Sequence, residues 1–108
     1  MHALLISVGR VRPAGRVALE RYAAGTLSLI AAAGGEVISR GSPEETVVGS
    51  DDQRPDLIAV IRFPDRNSIR RFLASSDYQA LEKDRSEAFE DIRSYIATDL
   101  SEHTIALT

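Results

Sequence analysis

The sequence contains 108 residues, the length of one small domain, and it has no cysteine, so disulfide and thiolate chemistry are excluded. Its formal net charge of -3 at pH 7 gives no general attraction to nucleic acid or to an anionic membrane, and neither is predicted as a partner. No apolar run approaches the roughly 20 residues of a membrane span, and the first basic residues follow the N-terminal apolar run, the reverse of a secretion signal. We therefore expect a cytoplasmic protein.

The first half of the chain predicts a strand, a long helix and an irregular strand. Ala3–Val11 is an aliphatic and β-branched run typical of a strand. Residues 17–33 carry apolar side chains at helical spacing, and the pair Gly34-Gly35 after them supplies a left-handed helix stop. Residues 36–40 and 46–49 both favour extended backbone, either as one bulged strand or as the arms of a small hairpin, and we prefer the bulged strand.

The second half predicts a strand, two helices and a final strand. Leu57–Phe63 is the clearest strand in the chain, and Asp65 is placed to cap a short helix after it. Residues 92–99 fit a strand as well as a helix. We assign a strand, because the order strand, helix, strand, strand, helix, strand is otherwise incomplete. The tail, residues 101–108, could add an extra edge strand.

The stretch of residues 75–92 holds one charged residue that its own pattern does not explain. Ser76 followed by Gln79 indicates a capping box, so a helix is expected to start at Asp77. Helical spacing then places six residues on one side, namely Tyr78, Leu81, Arg85, Ala88, Phe89 and Ile92. Five of the six suit a protein interior. The sixth, Arg85, is therefore predicted to point inward and to be held there.

Both faces of the predicted sheet are apolar. Alternate residues of Leu57–Phe63 point to opposite faces, and the side chains on both faces are hydrophobic, as they are in Ala3–Val11. Two helices of such a unit cover one face only, so the second face needs a partner. We expect an obligate homodimer joined through the sheet face of Leu4, Ile6, Val8, Ile58 and Val60, or through the other face if the helices cover that one.

Several segments together resemble a known family. The helix ending in Gly34-Gly35, the Phe63-Pro64 strand end, and the run SDYQAL at 76–81 followed by Arg85 are similar to the domain of unknown function 1330 family, within the dimeric α/β-barrel superfamily. The resemblance covers roughly residues 3–85. The sequence departs from the family pattern in a lengthened connection at 42–56 and in the tail.

The resemblance implies an α+β fold, a single ferredoxin-like βαββαβ domain over residues 1–108 that pairs as a dimeric α/β barrel. It also implies a homodimer whose sheets face each other and a cleft between sheet and helices in each subunit. Relatives in the superfamily include cofactor-independent monooxygenases and small isomerases, whereas the family itself has no settled activity.

Four residues are candidates for ligand binding: Arg85, Tyr78, Ser76 and His2. The Arg85 guanidinium offers a rigid fork of donors to a carboxylate or enolate, although a structural ion pair or a link to a backbone carbonyl would also explain an inward arginine. Tyr78, one heptad earlier, could direct its hydroxyl into the same cleft or simply belong to the core. Ser76 fits a helix cap better than a ligand group. His2 and His103 are the two imidazoles available for acid–base work.

The usual cofactor classes lack their ligands in this sequence. It has no glycine-rich phosphate loop and no clustered histidines, so neither a metal nor a cofactor is predicted. The first hypothesis is a binding protein with a pocket for a small organic acid near Arg85. The alternative is a cofactor-independent enzyme, monooxygenase- or isomerase-like, acting on a small enolisable substrate. A histidine or carboxylate at the cleft would favour the enzyme, and the sequence identifies no catalytic residue.

Overall fold

The computed structural model describes residues 1–102, which form four strands, four α-helices and two short 3-10 helices. The strands are β1 (Ala3–Val11), β2 (Glu36–Gly41), β3 (Leu57–Phe63) and β4 (Phe89–Thr98). The α-helices are α1 (Arg16–Ala32), α2 (Arg66–Ala74), α3 (Ser76–Gln79) and α4 (Glu82–Ala88), and the 3-10 helices are Asp51–Gln53 and Leu100–Glu102. His103 and the rest of the proposed tail strand lie outside the described residues. No helix within residues 1–102 is long and apolar enough to cross a membrane.

The strands form one antiparallel sheet in the order β2-β3-β1-β4, with the helices packed on one face. This is the predicted α+β, ferredoxin-like arrangement. The main core joins that face to α1, α2 and α3, and its two fully buried large side chains are Phe63 and Ile69. Asp65 caps α2 as predicted, because its carboxylate accepts from the Ser68 backbone N–H at 2.7 Å.

The C-terminal stop of α1 is also as predicted. Gly34 has φ +81°, in the left-handed region that favours glycine. The Gly34 N–H donates to the Ala31 carbonyl at 3.1 Å, and the Gly35 N–H donates to the Ile30 carbonyl at 2.8 Å. These bonds satisfy carbonyls that the helix end would otherwise leave without partners.

Strand β2 is bulged, but the predicted extension of it through residues 46–49 is wrong. The pairing with β3 shifts register between Val37 and Ser39, which leaves Ile38 as the extra residue. Residues 46–49 instead belong to an irregular connection in which Val47 and Val48 are 84% and 90% exposed. Local extended preference was not enough to make a strand there, because no neighbouring strand pairs with these residues.

The helix predicted from Asp77 toward Ile92 is shorter and begins earlier. The cap is Ser75 rather than Ser76, since the Ser75 hydroxyl accepts from the Tyr78 N–H at 3.2 Å. The helix is interrupted at residues 80–81 and ends at Ala88, so Phe89 and Ile92 lie in β4, which starts three residues before the prediction.

The early start of β4 follows from its pairing with β1. Phe89 is aligned with Val11 across a register shift, and its side chain is 4% exposed. Its ring lies over Gly9, where an added Cβ would come within 2.7 Å of the Phe89 Cε1 atom. The contact between the Phe89 ring and a glycine of another strand is tertiary, and helical periodicity in the sequence cannot reveal it.

The two faces of the sheet are now assigned. Leu5 of β1 and Ile61 of β3 are buried beneath the helices, which fixes the side of every other residue in these strands. The opposite face carries the five aliphatic residues predicted for a homodimer contact, namely Leu4, Ile6, Val8, Ile58 and Val60. Among residues 1–102, no helix covers this open face.

Candidate functional site

A cleft lies between the helix-covered face of the sheet and α1. Its walls are mainly apolar and its cavity volume is about 80 Å³. A single water needs roughly 10–15 Å³ of such space, so the cleft has room for several waters or a small organic molecule. From α1 it is lined by residues that include Leu19, Tyr22, Thr26 and Ile30.

The floor of the cleft includes one row of residues that crosses all four strands. Ala59 is aligned with Arg40 of β2 on one side and with Ser7 of β1 on the other, and Ser7 is aligned with Ser94 of β4. The rows on either side are bulkier: one contains Val37, Ile61, Leu5 and Ile96, and the other contains Leu57 and Ile92 beside Gly9, which the Phe89 ring covers. Ala59, Ser7 and Ser94 in the middle row have short side chains, so space remains above them. In the two neighbouring rows, bulkier side chains fill the corresponding space.

Two serine hydroxyls meet on this floor. The Oγ atoms of Ser7 and Ser94 lie 2.9 Å apart, across the β1–β4 pair. The pair has two hydroxyl protons and uses one between its members, so one proton and several lone pairs remain for a bound molecule.

A second group of hydroxyls lies on the helix side of the cleft. The Tyr22 and Tyr78 hydroxyl oxygens are 2.8 Å apart, and Arg85 Nη1 donates to the Tyr78 hydroxyl oxygen at 3.1 Å. The Arg85 guanidinium carbon also lies 5.6 Å from the centre of the Tyr78 ring, a cation–π distance. The Tyr22 ring packs edge-on against Tyr78 and Phe89, with centroids 6.4 Å and 5.9 Å away. These contacts hold both hydroxyls in place.

The electrostatics of this group keep Tyr22 neutral and Arg85 charged. Burial, and then the hydrogen bond to Tyr78, raise the pKa of Tyr22 above its ordinary value of 10.0. Burial acts to lower the pKa of Arg85, but the hydrogen bond to Tyr78 and the charge interactions with Tyr78, Tyr22 and Glu82 together outweigh it, so the pKa of Arg85 is raised. Tyr22 therefore stays a hydrogen-bond donor at all ordinary pH values.

Arg85 is half-buried, and the structure does not pair it with a carboxylate. Among residues 1–102, its hydrogen bond goes to Tyr78 and no ion pair joins it. The neighbouring Arg21 differs, since its guanidinium contacts Asp84 at 3.0 Å and Glu87 at 3.4 Å. The α1–α4 contact therefore has ion pairs at Arg21, whereas among residues 1–102 none is formed by Arg85.

The four predicted site residues are only partly brought together. Arg85 and Tyr78 are in contact, with Tyr78 lining the cleft and Arg85 directly behind it. Ser76 is exposed in the first turn of α3 and does not line the cleft. His2 is exposed beside Asp65 and Arg66 in a separate surface depression.

Sequence reasoning missed Tyr22, Arg40 and the Ser7–Ser94 pair. Tyr22 falls within the apolar helical pattern of residues 17–33, which does not distinguish it from a core residue, and Ser7 and Ser94 become a pair only through strand register. The signal that could have found them is polar or small residues at inward positions of otherwise aliphatic strands. No carboxylate or imidazole lines the cleft within residues 1–102, and no three potential metal ligands cluster there.

Comparison with known families identifies the family to which the chain belongs. The model described as Domain of unknown function (DUF1330) matches residues 6–98, so the chain belongs to this family. The search of curated proteins gives no match.

Solved structures share the fold at low identity. A protein of unknown function from Rhodopseudomonas palustris is 21% identical, with 88% of this chain and 79% of that chain covered and a TM-score of 0.80. A dimeric protein of unknown function with a ferredoxin-like fold from Bacteroides fragilis is 11% identical, with 88% and 93% covered and a TM-score of 0.64. SnoaB, a cofactor-independent oxygenase from Streptomyces nogalater, is 15% identical, with 90% and 91% covered and a TM-score of 0.63.

Proposed function

We propose that this protein is a homodimer that binds a small organic anion in the cleft between its sheet and α1. The observation that carries the proposal is the half-buried Arg85, whose guanidinium lies directly behind the cleft, donates to a tyrosine hydroxyl and, among residues 1–102, makes no ion-pair contact with a carboxylate. Buried or half-buried charges are usually paired. A ligand anion would supply the missing negative charge.

The tyrosine pair would transmit the polarising effect of the Arg85 charge to the ligand. Tyr22 and Tyr78 contribute two hydroxyl protons, and one of these is used in the bond between them. The other is available to an oxygen in the cleft. Because Arg85 donates to Tyr78, it polarises the pair and makes the remaining proton a stronger donor.

The walls favour an organic ligand over an inorganic ion. Aliphatic and aromatic side chains such as Leu57, Ile61 and Phe72 line most of the cleft, and polar groups are few and clustered. Binding sites for small molecules typically combine such apolar walls with a few fixed polar groups. A short carboxylic acid with an apolar body fits this combination.

Assembly through the open sheet face forms the second part of the proposal. A continuous aliphatic patch on a soluble protein is usually covered, and a second copy of the same sheet would cover it. The Bacteroides fragilis relative in fold is described as dimeric, which supports this expectation.

A cofactor-independent enzyme is the second candidate. The observation that favours it is the charge-backed tyrosine hydroxyl, which could stabilise an enolate oxygen. Against it, the residues described as lining the cleft include no carboxylate or imidazole to remove a proton. Binding is therefore the better supported function, and the expectation that no cofactor takes part remains a prediction.

The test is a thermal-shift screen of small carboxylic acids against the wild type, Arg85→Ala and Arg21→Ala. Arg21 is a matched control, because it is a nearby arginine at the α1–α4 contact that already has carboxylate partners. An acid that binds should raise the melting temperature of the wild type and of Arg21→Ala. Its affinity for Arg85→Ala should be weaker by about tenfold or more, the effect of one charge-assisted hydrogen bond.

Nucleotides, flavins, haem and divalent metals serve as comparison ligands in the same screen. Stabilisation by one of them without a response to any acid would overturn the anion cleft. Stabilisation by an acid that is equal in wild type and Arg85→Ala would keep the cleft and remove Arg85 as its anchor.

A further inference from the structure

We infer that the ligand carries two separated carboxylates, one bound at the tyrosine hydroxyls in front of Arg85 and the other at Arg40, so that its class is a small dicarboxylic acid. This inference rests on the proposed anion-binding function and adds a second anchor to it. The second anchor, Arg40, owes its position to the bulge in β2.

The bulge turns Arg40 into the cleft. In a regular strand, Val37 and Arg40 would point to opposite faces, since they are three residues apart. The register shift at Ile38 changes this: Val37 is aligned with Ile61 and Arg40 with Ala59, so both lie on the helix-covered face. Bulges are known to redirect side chains in this way beside binding sites. Without it, Arg40 would lie on the open face.

Arg40 supplies a positive charge at the cleft. It lines the cleft and is exposed, and among residues 1–102 it has neither a hydrogen-bond nor an ion-pair partner. With Arg85, it gives the cleft two positive charges that no carboxylate among the described lining residues balances, in a chain whose net charge is -3. The local charge therefore opposes the overall charge, as expected where an anion is to be selected.

The two cations lie toward opposite ends of the cleft. Tyr22 packs on Phe89, whose ring lies over Gly9, so the Tyr22 side of the hydroxyl pair lies over the β1–β4 half of the sheet, while the Tyr78 ring packs on Phe72. Arg40 is on β2, at the far edge beyond β3. Strands are spaced about 4.8 Å apart, so the backbone of Arg40 is roughly 10 Å from that of Ser7. A ligand that reaches both ends needs an anionic group at each and a short apolar segment over Ala59.

The experiment is a titration of straight-chain dicarboxylates, from succinate to suberate, each against the monocarboxylate of equal chain length. It uses the wild type, Arg40→Ala, and Arg70→Ala as a control that removes an exposed arginine outside the cleft, one with no hydrogen-bond or ion-pair partner in the described part of the chain. In the wild type and Arg70→Ala, one length of dicarboxylate should bind at least about tenfold more tightly than its monocarboxylate. Arg40→Ala should lose this preference while it keeps the monocarboxylate affinity.

The outcomes separate this inference from the proposed function. If wild type binds monocarboxylates and dicarboxylates equally, or if Arg40→Ala keeps the preference, the second anchor is wrong and the anion cleft stands. If no acid of either kind binds the wild type, the anion cleft itself fails and the inference fails with it.

Discussion

The two faces of the sheet differ most clearly at two consecutive residues of β3. Ala59 points toward the helices and lines the cleft, whereas Val60 points to the open face and stands among aliphatic neighbours. The helix-covered face is interrupted by a row of short and polar side chains. On the open face, aliphatic residues fill the centre, and polar residues such as the Arg62–Glu36 ion pair, with a contact of 3.0 Å, lie toward the edge.

This difference separates two uses of apolar surface. An apolar centre with a polar rim is the pattern of a protein–protein interface. An apolar wall broken by a few convergent polar groups is the pattern of a small-molecule site. Under the proposed function, the same strands would serve assembly on one face and ligand binding on the other, and substitutions can test the two separately.

The largest effect is expected from Val60→Asp. A carboxylate placed at the centre of the proposed interface would be buried without a partner, at a cost of about 3–5 kcal/mol for each copy. The protein should then be monomeric in sedimentation velocity at micromolar concentration. Val47→Asp is the matched control, because Val47 is exposed in the irregular connection and should accept the same charge without effect.

A Val60→Asp protein that sediments as a dimer would show that the open face is not the contact. A wild type that sediments as a stable, soluble monomer would contradict the homodimer altogether.

A smaller and more local effect is expected from Ala59→Leu. Three additional carbons at the floor should fill much of the cleft, so acid binding should weaken by tenfold or more while the dimer persists. The cost in stability should stay below the about 1–3 kcal/mol typical of overpacking a filled core, because the space is already empty. Calorimetric titration and sedimentation of the same sample measure both quantities.

Ala31→Leu provides the comparison for that variant, since Ala31 is exposed on α1 and away from the cleft. Undiminished acid binding by Ala59→Leu would mean that the ligand site is elsewhere.

The smallest effect is expected at the N-terminus of α2, one of the helices on the covered face, where Asp65 is the helix cap. Bonds from the Ser68 backbone N–H and hydroxyl lower the pKa of Asp65 below its ordinary value of 3.8. Since the folded-state pKa is the lower one, the carboxylate cap stabilises the fold above 3.8 and is lost as the pH falls through the folded-state value. Asn at this position caps without titrating.

The melting temperature of the wild type should therefore fall relative to Asp65→Asn between pH 5 and pH 2, and the difference should be constant from pH 6 to pH 8. A difference that is the same across the whole range would show that the cap does not titrate with the fold. The oligomeric state should not respond to this substitution in the neutral range.

Sequence patterns predicted the parts of this fold that depend on local chemistry. The bounds of β1 and β3, the glycine stop after α1 and the Asp65 cap all follow from side chains within a few residues of the feature. The proximity of Tyr78 and Arg85 follows from their helical spacing, although the helix between them is interrupted at residues 80–81.

The remaining features depend on contacts between distant segments. Phe89 fits the helical stripe as well as a strand, and its place on Gly9 of β1 decides between them. The Ser7–Ser94 pair and the position of Arg40 depend on strand register, which a single element does not encode. For this reason the sequence identified Tyr78 and Arg85 but not Tyr22 beside them, the Ser7–Ser94 pair or Arg40.

The extra residue in β2 has a consequence for how such a protein can change over generations. Ile38 lies in an edge strand that ends at Gly41, and losing this one residue would leave Val37 and Arg40 two positions apart in a regular strand. Val37 would stay opposite Ile61 and Arg40 opposite Ala59, so both would still point to the helix-covered face. The margin of this sheet can therefore lose one residue between Val37 and Arg40 without moving Arg40 or rebuilding the interior.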